Sequence, residues 1–130
     1  MTTRPETAKK RILVVDDEQD LTFTLKATLE ETGSFQVETF TDPVLALSEF
    51  KASVYDLAVL DIRMPKMNGF QLCRKLRGMD KKLKICFLTA TDLLYYQETD
   101  SDIIDDLGTH CFVSKPVDNE DFVRRLEAIL

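Results

Sequence analysis

Residues 11–17 read Arg-Ile-Leu-Val-Val-Asp-Asp, an unbroken apolar run of β-branched character that stops at two acids. A strand that is buried on both faces of a sheet has this pattern. Leu21, Leu25 and Leu29 follow at intervals of four residues. That spacing puts them on one stripe of a helix over about Glu18 to Thr32. The stretch therefore predicts a buried strand that leads directly into an amphipathic helix.

The same alternation continues along the chain. Further strands are predicted at residues 35–40, 55–60, 84–88 and 110–114. Helices are predicted after Asp42-Pro43, after Asn68-Gly69 and after Asp118, and residues 92–107 are ambiguous. Because parallel strands need crossover helices, five β-α units in 130 residues imply an α/β domain with a parallel sheet and helices on both of its faces.

Length and charge limit the classes of function. The chain of 130 residues suits one domain, and its 17 bases and 23 acids leave a net charge of −6. This balance argues against a module that binds nucleic acid or an anionic membrane surface. No apolar run approaches the length of a membrane span, and polar residues 2–11 do not resemble a signal peptide, so we expect a cytoplasmic protein.

Cys73, Cys86 and Cys111 lie in apolar segments and are expected to be buried, reduced thiols.

Polar side chains follow four of the predicted strands. Asp16 and Asp17 end the first, Asp61 the third, Thr89 the fourth and Lys115 the fifth. The carboxyl ends of parallel strands meet at one edge of a sheet, so we expect these groups to lie close together. Three neighbouring carboxylates repel one another unless a cation lies among them, and a site of oxygen ligands suits Mg²⁺. The ammonium and hydroxyl beside them suit an incoming anion.

Four short stretches of the chain resemble a known family. They are Val14–Glu18, Asp61–Gly69, Leu88–Ala90 and Lys115-Pro116. Together they resemble the receiver domain of two-component response regulators, over residues 10–130, which leaves residues 1–9 as an N-terminal tail. The resemblance implies a flavodoxin-like, doubly wound sheet of five parallel strands in the order 2-1-3-4-5, with five helices on its two faces.

The resemblance also implies a phosphorylation site that depends on Mg²⁺. Asp61 would accept a phosphoryl group from a phosphohistidine on a sensor histidine kinase or a histidine phosphotransfer protein. Asp17 would ligate Mg²⁺ directly and Asp16 largely through water. Asp61 would contribute its carboxylate to the metal, and Arg63 its backbone carbonyl.

The remaining site residues would bind the phosphoryl group and report its presence. Thr89 and Lys115 would contact its oxygens, and Thr89 and Phe112 would form the conformational switch. The resemblance further implies a cis peptide bond at Lys115-Pro116. The expected chemistry is self-phosphorylation from phosphodonors and autodephosphorylation, with no other substrate turned over. The signal would pass to a downstream protein target, without direct contact to nucleic acid or membrane.

Other interpretations of the same residues remain open. Asp17 and Glu18 precede a helix, whose dipole favours acids, so the acid pair alone does not identify a site. An aspartyl-phosphate hydrolase of the haloacid-dehalogenase type would need a second Asp at the position of Arg63. A flavodoxin-like cofactor binder would need a Ser/Thr/Gly-rich phosphate loop after the first strand. The sequence does not distinguish a stand-alone regulator from a receiver within a longer protein.

Two segments have strongly biased charge. Residues 92–106 contain six acids and no base, and four successive large apolar or aromatic side chains lie at residues 93–96. Local core packing or a partner-binding patch would each explain them, and altered amide exchange over residues 93–107 on phosphorylation would favour a signal output there. Residues 63–84 contain eight bases and one acid, which we interpret as a solvated helix face.

Overall fold

A computed structural model describes residues 8–90 and 112–130 of the chain. Its strands are β1 Lys10–Val15, β2 Phe35–Phe40, β3 Leu57–Asp61, β4 Lys84–Thr89 and β5 Phe112–Ser114. The helices within these ranges are α1 Gln19–Glu31, α2 Pro43–Glu49, α3 Gly69–Met79 and α4 Asn119–Ile129. The ambiguous segment 92–107, His110 and Cys111 lie outside the described residues, as does any fifth helix.

All five strands form one parallel sheet in the order β2-β1-β3-β4-β5, as the family resemblance implied. Four consecutive apolar residues are buried in β1 and four in β3, which agrees with burial on both faces of these strands. Opposite Val15 of β1 lie Phe40 of β2 and Leu60 of β3. Since the strands are in register near their carboxyl ends, the residues that follow them share one edge of the sheet.

Helices cover both faces of the sheet. Phe70 and Leu76 of α3 lie in one buried cluster, together with Ala46 of α2. Leu29 of α1 and Phe122 of α4 lie in the other. A doubly wound sheet is thus confirmed for the described helices. None of these helices is both long and apolar enough to cross a membrane.

Side chains cap three of the helices. The Asp42 carboxylate accepts the backbone N–H of Val44 at 2.9 Å, with proline at the first helical position. Asn68 and Gln71 form a reciprocal capping box at the start of α3, at 2.8 and 2.9 Å. At α4 the Asp118 carboxylate accepts a backbone N–H. The predicted starts of these helices are confirmed.

The predicted stripe of α1 is confirmed, since Leu25 and Leu29 are buried and Leu21 packs, partly buried, against the same cluster. One local prediction was wrong in detail. Strand β3 begins at Leu57 and not at residue 55, because Asp56 bridges to β1 instead. Its carboxylate accepts the Arg11 N–H at 2.8 Å, and its own N–H donates to the Arg11 carbonyl at 2.8 Å.

The predictions for two cysteines and one proline are confirmed. Cys73 and Cys86 are buried and free of disulfides. Burial raises the pKa of the Cys73 thiol to about 12. The Lys115-Pro116 peptide bond is cis.

Candidate functional site

The carboxyl edge of the sheet brings together the polar residues that were expected there. Asp16 follows β1, Asp61 and Thr89 are the last residues of β3 and β4, and Lys115 follows β5. Asp16 is 0% exposed, Asp61 4% and Thr89 6%. Asp17, next in sequence to a buried acid, is exposed. The edge therefore holds buried polar groups, and burial is costly for such groups unless they have hydrogen-bond or charge partners.

Three carboxylates form a compact cluster at this edge. Oxygens of Asp16, Asp17 and Asp61 all lie within 4.8 Å of one another. Asp16 Oδ1 accepts the backbone N–H of Glu18 at 2.8 Å, and its buried Oδ2 is paired with the Lys115 ammonium at 2.9 Å. Asp61 Oδ1 accepts the N–H of Arg63 at 3.3 Å. Three carboxylates this close together offer only oxygen ligands, which fit a hard divalent cation.

Lys115 places a positive charge against this cluster. Its Nζ lies 2.9 Å from Asp16 Oδ2 and 3.5 Å from Asp61 Oδ2. Its shortest contact, at 2.8 Å, is with Glu18 Oε1. The sequence predicted the lysine but did not predict its pairing with Glu18. One ammonium faces several carboxylates, so the site retains negative charge for a further cation.

The pKa values respond to burial and to this crowding. Burial, and then the neighbouring Asp16 charge, raise the pKa of Asp61 to about 7. Burial also raises the pKa of Asp16. Burial lowers the pKa of Lys115, but its bonds to Glu18 and Asp16 raise it more, so the net shift is upward. The lysine is therefore charged at neutral pH, and it neutralises only part of the cluster.

The raised pKa of Asp61 predicts an unusual dependence of stability on pH. Between about pH 4 and pH 7 the folded protein keeps a proton on Asp61 that the unfolded chain has lost, so the free energy of unfolding falls as pH rises. Without metal, we expect the Tm near pH 8 to be lower than near pH 5, by on the order of 5 °C. Thermal unfolding in a chelating buffer measures this. Asp61→Asn should lose most of the dependence, and an unchanged slope in that variant would contradict the assignment.

The loop from β3 to α3 folds back against the Asp61 backbone. The Gly69 N–H donates to the Ile62 carbonyl at 2.9 Å, and the Ile62 N–H donates to Leu88 of β4 at 3.0 Å. A Cβ at Gly69 would lie 2.4 Å from the Asp61 carbonyl oxygen. The sequence indicated a turn at Asn68-Gly69, but it did not indicate this close approach. Glycine is required here because no side chain fits the space.

Phe112 belongs to a row of three packed aromatic rings, with Phe87 and Phe70. Its ring stacks on Phe87 with centroids 5.4 Å apart, and Phe87 packs on Phe70 at 4.8 Å. Arg125 donates to the Phe112 carbonyl at 2.9 Å. The ring is half-buried, so it lies between the core and the surface. Of the other predicted residues, Arg63 has an exposed side chain and approaches the site through its backbone.

Comparisons with known proteins agree with this geometry. The family model for the response regulator receiver domain matches residues 12–127. The alkaline phosphatase synthesis transcriptional regulatory protein PhoP of Bacillus subtilis is 36% identical over 121 residues, which cover 93% of this chain and 48% of that protein. The chain thus spans about half the length of the curated relatives that it matches.

Two solved structures are similar in both fold and sequence. The non-phosphorylated HemR receiver domain from Leptospira biflexa is 33% identical, with a TM-score of 0.78 over 93% of this chain and 94% of that one. The response regulator TrrA from Thermotoga maritima, in complex with Mg²⁺-BeF, is 33% identical, with a TM-score of 0.77 over 93% and 99%.

Proposed function

We propose, from the premise that this chain belongs to the family of response regulator receiver domains, that Asp61 is its phosphoryl acceptor. The donor is a phosphohistidine of a sensor histidine kinase or of a histidine phosphotransfer protein. Two buried carboxylates, Asp16 and Asp61, share the lysine and the acidic cluster at the sheet edge. One observation carries the assignment to Asp61: its contacts with the Arg63 N–H and with Lys115 are 3.3 and 3.5 Å, against 2.8 and 2.9 Å for the contacts of Asp16, so the Asp61 oxygens are the less tightly held. Within the family, this domain receives the signal of a two-component system.

The chemistry uses the Asp61 carboxylate as a nucleophile. One carboxylate oxygen forms a bond to phosphorus while the phosphorus–nitrogen bond of the donor breaks, and the histidine nitrogen keeps the electron pair. The product is a mixed anhydride, which water hydrolyses to restore the carboxylate. The transferring group spreads charge over three oxygens, so catalysis consists of positioning the carboxylate and neutralising that charge.

Mg²⁺ is the proposed cofactor, and the three-acid cluster is its proposed site. Asp17 and Asp61 would hold it through their carboxylates, Asp16 largely through water, and Arg63 through its backbone carbonyl. The closeness of the three carboxylates and their all-oxygen set of ligands support this choice. When bound, the metal supplies positive charge to a phosphoryl oxygen.

Thr89, Lys115 and Phe112 are proposed to bind the phosphoryl group and to transmit its presence. The backbone N–H of Lys115 donates to the Thr89 carbonyl at 2.9 Å, so the last residue of β4 and the residue after β5 are joined through their backbones. Phe112 lies opposite Phe87 in the pairing of the same two strands. A shift of the Thr89 hydroxyl toward a phosphoryl group would therefore change the surroundings of the Phe112 ring in β5. The switched surface binds a downstream protein target.

We also propose how the chain is organised. Residues 10–130 form the receiver domain and residues 1–9 an N-terminal tail, and the domain works in the cytoplasm. The match of the family model to residues 12–127 supports these bounds.

Intact mass spectrometry tests the function. The protein is incubated with acetyl phosphate and Mg²⁺, and we expect a mass gain of one phosphoryl group that disappears when a chelator replaces the metal. Steady release of phosphate from an unrelated phosphate ester, with no lasting mass gain, would instead favour a hydrolase of the haloacid-dehalogenase type.

Asp17→Asn is expected to weaken Mg²⁺ binding by about tenfold or more, because even groups that only support a metal ligand contribute that much. The variant should also phosphorylate more slowly from acetyl phosphate. Its stability should not fall, since Asp17 is exposed and its charge repels two buried acids. A Mg²⁺ titration measures the affinity, with Asp20→Asn as a control that removes an exposed acid of α1 outside the cluster. Equal affinities in the two variants would refute the ligand role of Asp17.

A further inference from the structure

The Lys115 ammonium is shared unevenly among three acids. It has three N–H donors, and two of them meet Glu18 and Asp16 at 2.8 and 2.9 Å. Asp61 Oδ2, the proposed acceptor of the phosphoryl group, is more distant at 3.5 Å. A separation of 3.5 Å lies beyond the usual range of a charge-assisted hydrogen bond. The resting ammonium is therefore held on the Asp16 and Glu18 side of the site.

Glu18 holds the ammonium from outside the acidic cluster. It occupies the N-cap position of α1, yet its side chain makes no capping hydrogen bond. The carboxylate contacts Lys115 instead, while the backbone N–H of the same residue donates to Asp16 Oδ1 at 2.8 Å. Its side chain is 63% exposed, whereas that of Lys115 is 11% exposed. Glu18 thus touches two members of the site without being buried in it.

We propose that Glu18 is a positioning residue that keeps Lys115 in a resting arrangement, and that phosphorylation of Asp61 transfers the ammonium from Glu18 to the phosphoryl oxygens. This inference rests on the proposed function of Asp61. The chemistry of the site gives the direction of the transfer, because an incoming phosphoryl group concentrates more negative charge near the ammonium than the single Glu18 carboxylate does.

Burial determines which of the two close partners gives up the lysine. Asp16 is 0% exposed, so without Lys115 it would be left as a buried and uncompensated charge. Glu18 can return to water at little cost, because its carboxylate is already largely solvated. The Glu18 contact is therefore the one that opens, and the Asp16 contact persists. Since exposed ion pairs are weak, the expected effect on rate is modest, about two- to fivefold.

The first test is spectroscopic and requires neither metal nor phosphoryl donor. In protein with ¹⁵N-labelled lysine, the Lys115 ammonium signal is assigned by its loss in Lys115→Arg. Glu18→Gln preserves the shape of the side chain and removes its charge, and we expect the ammonium signal to shift. Asp20→Asn removes a neighbouring exposed acid of α1 and should leave the signal in place. Equal spectra for Glu18→Gln and the wild type would overturn the inference.

The second test is kinetic. We expect Glu18→Gln to be phosphorylated by acetyl phosphate and Mg²⁺ about two- to fivefold faster than Asp20→Asn, because the lysine no longer has to leave a partner. A rate in Glu18→Gln equal to or below that of the control would overturn the inference while leaving the proposed function intact. No phosphorylation of the wild type would contradict the proposed function instead, so the two failures are distinguishable.

Discussion

Replacing Asp61 with asparagine is expected to abolish phosphorylation by acetyl phosphate completely, while the folded protein becomes more stable. Asparagine keeps the shape of the side chain but removes the charged oxygen that forms the bond to phosphorus. It also removes one of the clustered acids, of which two are buried and share a single lysine, so repulsion in the metal-free protein falls. Intact mass and thermal unfolding measure the two effects on the same sample.

The combination of lost phosphorylation with increased stability distinguishes removal of the nucleophile from unfolding of the protein. A variant that lost phosphorylation because it was unfolded would also have a lower Tm, whereas Asp61→Asn should have a higher one near pH 8. Asp17→Asn is the matched comparison, since it removes a charge from the same cluster but leaves the nucleophile. It should still be phosphorylated, at a lower rate. Full labelling of Asp61→Asn would show that another residue is the acceptor.

Gly69→Ala is expected to lower the free energy of unfolding by about 1–3 kcal/mol, as overpacked positions do. The added Cβ would lie 2.4 Å from the Asp61 carbonyl oxygen, and that backbone must move to relieve the clash. The displaced segment carries the proposed nucleophile, so phosphorylation should slow by about tenfold to a hundredfold. Denaturant unfolding and the rate of mass gain with acetyl phosphate measure the two effects.

Gly78→Ala is the matched control for this substitution. Gly78 lies in the same helix, α3, and a Cβ there would meet nothing within 4 Å. Alanine is the better helix former by about 1 kcal/mol, so this variant should be more stable and should phosphorylate normally. Similar losses of stability in both variants would contradict the importance of the close approach at Gly69.

Local patterns in the sequence were sufficient for the parallel strands and for the predicted edge residues, whereas the strand order came from the family resemblance. The apolar run before Asp16 and the run before Asp61 are long enough to predict buried strands, and the ends of parallel strands share one edge. That reasoning brings Asp16, Asp61, Thr89 and Lys115 together, and the structure confirms it. The assignment of Asp56 to a strand was wrong because its side chain accepts a hydrogen bond from the backbone of β1. The spacing of apolar residues does not predict such a contact.

The features that sequence patterns missed depend on contacts between distant parts of the chain. Glu18 and Lys115 are 97 residues apart, and an acid before a helix is adequately explained by the helix dipole. Gly69 has the ordinary pattern of a turn residue, and its requirement for glycine comes from the Asp61 carbonyl eight residues earlier. Such contacts follow from the packing of the finished fold.

Locating the phosphoryl group within the chain tests the central claim most directly. After reaction with acetyl phosphate and Mg²⁺, borohydride reduces an aspartyl phosphate to homoserine, and peptide mass spectrometry then identifies the modified position. We predict homoserine at position 61 and at no other acid of the site. Homoserine at Asp16 or Asp17, or a phosphoryl group bound elsewhere in the chain, would contradict the assignment of Asp61.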